Sequence, residues 1–74
     1  MFVEYLERYL SDNKITPDIV HRRYVRFTGK KCLIKIWMDS RVEIFRKGKR
    51  IRYFKFNEPK LKKFLYDGGD NEKL

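Results

Sequence analysis

A chain of 74 residues with a formal net charge of +9 and a single cysteine has room for one small domain and no internal disulfide, which excludes a disulfide-stapled secreted scaffold. Aromatic residues make up 16% and hydrophobic residues 42% of the sequence, enough apolar mass to exclude a wholly disordered chain. No apolar run approaches the ~20 residues of a membrane span, and the acidic, charge-interrupted start Met1-Phe2-Val3-Glu4-Tyr5-Leu6-Glu7 is neither a signal nor a transit peptide.

Residues 2–11 read as an amphipathic helix, because Phe2, Leu6, Tyr9 and Leu10 recur at helical spacing while Glu4, Glu7 and Arg8 fill the rest of the turn. Ser11, Asp12 and Asn13 end it with turn chemistry. Thr16-Pro17-Asp18 has the form of a helix start, with a cap, a proline at the first helical position and an acid in the first turn.

The segment from Ile19 to Thr28 is ambiguous. Ile19, Val20, Arg23, Tyr24 and Phe27 fit one helix face, whereas Arg22–Thr28 also fits a strand rich in β-favouring side chains. The hairpin-like Thr28-Gly29-Lys30-Lys31 favours one helical turn at 17–21 followed by a strand. Cys32–Met38 alternates as a strand with Cys32, Ile34, Ile36 and Met38 on one face. Asp39-Ser40 turns the chain into Val42–Arg46, and Lys47-Gly48-Lys49 turns it again into Arg50–Phe56, with the glycine where a positive φ is wanted. Asn57 then caps a helix through Glu58 and Pro59 to about Tyr66, with Leu61, Phe64 and Leu65 as its apolar stripe and Gly68 and Gly69 as its stop. The expected architecture is α+β: an N-terminal helix, a three- to four-stranded antiparallel meander and a C-terminal helix. Residues 1–68 form the domain and 69–74 a flexible tail. If 17–28 were helical, residues 2–28 would make a winged helix-turn-helix, with the hairpins as its wing.

The charge is segregated along this frame. Residues 1–19 hold two basic side chains against four acids, residues 20–63 hold sixteen Lys and Arg against Asp39, Glu43 and Glu58, and residues 64–74 hold one against three. So basic a middle segment repels itself and suits an anionic partner. Nucleic acid comes first, because its phosphates are dense and binding releases their counterions.

Three clusters could meet it. The sheet face opposite Cys32, Ile34 and Ile36 would present Lys31, Leu33, Lys35 and Trp37, then Glu43 and Phe45. Arg50, Arg52, Phe54 and Phe56 would come from the last strand, and Arg22, Tyr24 and Arg26 from the first. Cations there hold phosphates, and rings such as Trp37 and Tyr24 stack on unpaired bases. The plainer alternative is that helices cover both faces and these rings are core. The second cluster is the basic hairpin tip Arg46, Lys47, Lys49 and Arg50 with Arg52 behind it; a solvated turn that guards a sheet edge has the same composition. The third is His21-Arg22-Arg23 with Arg26, facing DNA if helical and joining the sheet if extended. Lys60, Lys62 and Lys63 are explained by the helix macrodipole.

No catalytic residue, metal site or cofactor is expected. One cysteine and one histidine, Cys32 and His21, do not make the usual zinc site, and there is neither a nucleophile elbow nor a phosphate-binding glycine loop. The helix–strands–helix order resembles that of double-stranded-RNA-binding domains. Their lysine-rich start of the last helix has no counterpart in Asn57-Glu58-Pro59-Lys60-Leu61-Lys62-Lys63. The expectation is a small non-enzymatic nucleic-acid-binding protein, a regulator or accessory factor, of the cytoplasm. Arg22, Arg23, Arg26, Lys35, Trp37, Arg46, Lys47, Lys49, Arg50 and Arg52 would form its site. The alternative is a compact module that modulates a larger, acidic protein partner. Membrane insertion is not expected, and the small core and open sheet edges leave room for a homodimer.

Overall fold

The computed structural model describes residues 1–67. The helix stop at Gly68 and Gly69 and the tail at 69–74 therefore lie outside the described residues. The elements are α1 (Phe2–Asp12), β1 (Ile19–Val20), β2 (Tyr24–Gly29), β3 (Cys32–Trp37), β4 (Arg41–Arg46), β5 (Lys49–Lys55) and α2 (Glu58–Lys62), which runs on into a π-helical turn at Lys63–Asp67. The five strands form one antiparallel sheet in sequential order, so the α+β architecture stands, with one strand more than the largest number expected.

The additional strand is β1, and it replaces the helical turn expected at 17–21. Ile19 pairs with Arg26 and Val20 with Val25. The Asp18 amide donates to the Arg26 carbonyl at 2.9 Å and the His21 amide to the Tyr24 carbonyl at 2.8 Å, which extends the ladder on both sides. Two consecutive β-branched residues fit that ladder, and one isolated helical turn would leave the β2 edge unpaired. The next strand starts at Tyr24 rather than Arg22, with Arg22 and Arg23 in the bend before it. A winged helix-turn-helix is ruled out, since residues 17–28 contain no helix.

Helix α1 ends in a Schellman motif. Lys14 takes a positive φ of 57°, the Ile15 amide donates to the Leu10 carbonyl at 2.8 Å, and the Lys14 amide donates to the Ser11 carbonyl at 3.1 Å. Turns of two residues join β2 to β3 (Lys30-Lys31) and β4 to β5 (Lys47-Gly48). Both residues of the second turn have positive φ, 54° and 80°, the geometry that matches strand twist in a tight hairpin. In β5 the ladder is interrupted: Phe45 pairs with Arg50 but Ile44 pairs with Arg52, so Ile51 is the extra residue of a β-bulge.

Both helices lie on the same face of the sheet. Leu6, Tyr9 and Leu10 of α1, together with Leu61 of α2 and Phe64 of the turn after it, close over Val25, Phe27, Cys32, Ile34, Ile36, Val42 and Ile44, all buried. Phe56 is ringed by Phe2, Tyr5 and Tyr9 at 5.3–5.6 Å between centroids, two of the three contacts at right angles and the third at 70°. The Asn57 side chain caps α2 by accepting from the Lys60 amide at 2.9 Å, as expected. The two ends of the described chain are tied directly: the Tyr5 hydroxyl donates to the Glu58 carboxylate, and the Tyr66 hydroxyl donates to the Asn13 side-chain oxygen at 3.4 Å.

Candidate nucleic-acid interface

The described residues place no helix on the other face of the sheet, and the strand registers set its side chains in three rows. The first runs Tyr24, Trp37, Arg41, Lys55, the second Arg26, Lys35, Glu43, Tyr53, and the third Thr28, Leu33, Phe45, Arg50. Rings and cations therefore share this face of the sheet. The Lys35 ammonium sits 4.2 Å from the Tyr24 ring centre and 4.5 Å from that of Trp37, the Arg41 guanidinium 4.8 Å from Trp37, and the Arg50 guanidinium 4.6 Å from Tyr53. These contacts seat the charged groups over the rings. Tyr24 and Trp37 touch at 5.1 Å, and His21 stacks on Tyr24 at 4.8 Å with nearly parallel planes.

Glu43 is the one acid set among five cations in these rows. It accepts from the Trp37 indole N–H at 2.7 Å and from Arg50 at 2.9 Å. Its side chain is 14% exposed in that ion pair. Burial works to raise the Glu43 carboxyl, but the hydrogen bonds from Trp37 and Arg50 and the charges of Lys35 and Arg50 outweigh it, and the group titrates below the usual glutamate range. A depressed folded-state pKa contributes stability that is complete above the unfolded-chain value of about 4.3 and is lost as pH falls through the lower folded value. Wild-type stability is thus expected to fall below about pH 4, and Glu43→Gln is expected to flatten that acid limb. Urea denaturation at several acid pH values checks this; parallel limbs in wild type and variant would refute it.

The remaining acids near the face are also paired, Asp18 with Arg26 at 3.5 Å and Asp39 with Arg41 at 2.9 Å. The Arg41 hydrogen bonds hold the Asp39 carboxyl below its ordinary range.

At one end of the sheet the two-residue turns come together. The Arg46 Nε donates to the Lys31 carbonyl at 3.1 Å, which links the β2–β3 turn to the β4–β5 turn. Lys30, Lys31, Lys47 and Lys49 are exposed there, and none is in an ion pair among the described residues. The Cys32 thiol lies beneath, donating to the Phe64 carbonyl at 3.5 Å. Burial pushes its pKa up, against smaller lowering effects from Arg46 and a Gly29 backbone hydrogen bond, so it is a structural thiol rather than an activated one.

The predicted site residues divide accordingly. Arg26, Lys35, Trp37 and Arg50 share the open face, Lys47 and Lys49 form the tip, and Arg46 anchors the tip to the neighbouring turn. Arg22 and Arg23 lie at the opposite end of the sheet, in the bend before β2.

Arg52 does not belong to the face. The bulge at Ile51 puts it across from Ile44, on the helix-covered side, together with Phe54 across from Val42. Phe56 packs under α1. A one-residue slip reverses every side chain beyond it, which is why strict alternation misplaces this strand. The same slip brings Tyr53 and Lys55 onto the face unannounced. Arg41 is legible from Val42, its inward-facing neighbour, and Lys30 and Lys31 from the predicted hairpin turn.

Among the described residues no group of three His, Cys, Asp or Glu side chains could hold a metal ion, and no helix is long and apolar enough to cross a membrane. No protein-family model, curated protein or solved structure matches the chain.

Proposed function

We propose that this protein is a small, non-enzymatic nucleic-acid-binding protein that lays a single strand across the open sheet face and grips its backbone with the paired lysine turns. The observation that carries this reading is the face on which the described residues place no helix, where Arg26, Lys35, Arg41, Arg50 and Lys55 outnumber Glu43 and the flanking Asp18 and Asp39 and lie among Tyr24, Trp37 and Tyr53. Lys35 and Arg41, parked on the Trp37 ring, are within reach of a phosphate, and their departure frees the ring for a base. The reading places the protein in the cytoplasm, where a free thiol stays reduced, as a regulator or accessory factor. A homodimer through the exposed edges is compatible with it.

Fluorescence anisotropy with labelled single- and double-stranded DNA and RNA, titrated with salt while Trp37 emission is followed, tests the proposal. Binding with a steep salt slope and Trp37 quenching by single strands is the expected result. Trp37→Ala is expected to weaken single-strand binding by about 1–3 kcal/mol while leaving the salt slope unchanged. Failure of all four nucleic acids to bind at low salt would sink the reading.

Tyr53, 52% exposed with Arg50 stacked on it, favours a second reading. Tyrosine and arginine dominate protein-protein hot spots, and the same face suits an acidic protein surface. Partners recovered from an affinity purification despite nuclease treatment would favour that alternative.

A further inference from the structure

At the end of the sheet away from the lysine turns, a pocket of about 300 Å³ is lined by Arg22, Arg23, Trp37, Met38, Asp39 and Arg41. Its walls are held by backbone as well as side chains. The Met38 amide donates to the Arg23 carbonyl at 2.8 Å, the Arg23 amide donates to the His21 Nδ1 at 3.1 Å, and Arg41 Nε lies 2.9 and 3.0 Å from the two Asp39 carboxylate oxygens. Three guanidiniums against one carboxylate leave an excess of two positive charges in a small volume. A phosphomonoester carries about −1.5 to −2 at pH 7 and so matches that excess, whereas an internal phosphodiester carries only one charge. Guanidinium forks suit the tetrahedral oxygens. Trp37 lines both the pocket and the open face, so a base stacked on it would belong to the same nucleotide.

Resting on the nucleic-acid reading of the open face, we propose that this pocket receives a terminal phosphomonoester, with the phosphate on Arg22 and Arg23 and its base against Trp37. The strand then runs over the sheet toward the lysine turns. A free nucleotide offers the same chemistry, so the test separates the two sources.

The experiment is anisotropy with one single-stranded sequence in three forms: 5′-phosphorylated, 3′-phosphorylated, and hydroxyl at both ends. One phosphorylated form is expected to bind about tenfold tighter than the hydroxyl form, about 1.4 kcal/mol. Arg22 and Arg23 are exposed, and Arg23 is held through its backbone N–H and carbonyl, so R22A/R23A is expected to fold and to abolish the preference. K47A/K49A, at the other end of the sheet, is expected to weaken all three forms alike and keep the preference. Equal affinity of the three forms, or a preference that survives R22A/R23A, overturns the proposal. A nucleoside monophosphate in competition identifies the source. Displacement only far above the oligonucleotide concentration supports the strand end, and displacement at equal concentration assigns the same pocket to a free nucleotide. If no strand binds in any form, the reading of the open face fails. The pocket then stands or falls on whether the nucleoside monophosphate alone quenches Trp37.

Discussion

Gly29→Ala is expected to destabilise the fold by about 2–4 kcal/mol, combining overpacking with the loss of a hydrogen bond. A Cβ at Gly29 would stand 2.6 Å from the Phe64 carbonyl oxygen and 2.7 Å from Ile34 Cδ1, and the first of these is backbone. That carbonyl accepts from the Lys30 amide at 2.9 Å and from the Cys32 thiol, so moving it aside undocks the C-terminal turn from the β2–β3 hairpin. A domain of this size has about 4–11 kcal/mol of stability in all, so the loss is a large share and corresponds to a Tm lower by about 10–25 °C. Gly48→Ala provides the contrast. Nothing lies within 4 Å of a Cβ there, and only the φ of +80° is unfavourable. Its expected cost is about 1 kcal/mol. Thermal and urea denaturation of the two variants checks the order. A Gly29→Ala protein within about 0.5 kcal/mol of wild type would show that the hairpin and the C-terminal turn are not in contact.

Replacing Lys30, Lys31, Lys47 and Lys49 together with alanine is expected to have the largest effect on binding. Each phosphate contact to a single strand contributes about 0.7 to the slope of log K against log salt concentration, so four lost contacts flatten it by about 3. At 0.1 M salt that is an affinity loss of about two to three orders of magnitude, spread evenly over sequences because phosphates carry no sequence information. The variant is expected to fold, since all four side chains are exposed and the turns are closed by backbone. An anisotropy salt titration that returned the wild-type slope would remove these turns from the interface. Replacing Arg50 together with Arg52 would remove only one cation from the open face, because the two arginines lie on opposite faces of β5.

Much of this is visible in the chain, for definable reasons. Alternation identifies β3 and its inward Cys32, Ile34 and Ile36 because that strand is central and one of its faces is dry. The Asn57 cap and the Lys47-Gly48 turn are local chemistry and occur where local chemistry puts them. β1 escapes because two residues are too short for any period, and Thr16-Pro17-Asp18 imitates a helix start that only tertiary pairing with β2 overrides. The bulge at Ile51 has no composition cue, since neither glycine nor proline marks it, and it alone carries Arg52 to the other side. That both helices choose one face is also beyond a local reading. Trp37 and Phe45 are equally fit for a core by composition, and it is the docking of α1 and α2 on the other side that leaves them facing out.

The sheet order has a consequence for how the molecule assembles. Every strand pairs with its neighbour in sequence, and two of the hairpins close with two-residue turns, so the sheet can zip up from local contacts at little entropic cost. Its lining is another matter. Ile34, Ile36 and Ile44 are sealed by helical segments that begin at Phe2 and reach past Phe64, so the core closes only when the earliest and latest parts of the described chain are both docked on the sheet. During synthesis the nascent meander therefore keeps part of its oily side wet until the last helix has emerged, open to other chains in that interval. The same lysine-rich turns that would hold a polyanion also keep such intermediates mutually repulsive, so one set of charges serves the finished protein and guards the unfinished one.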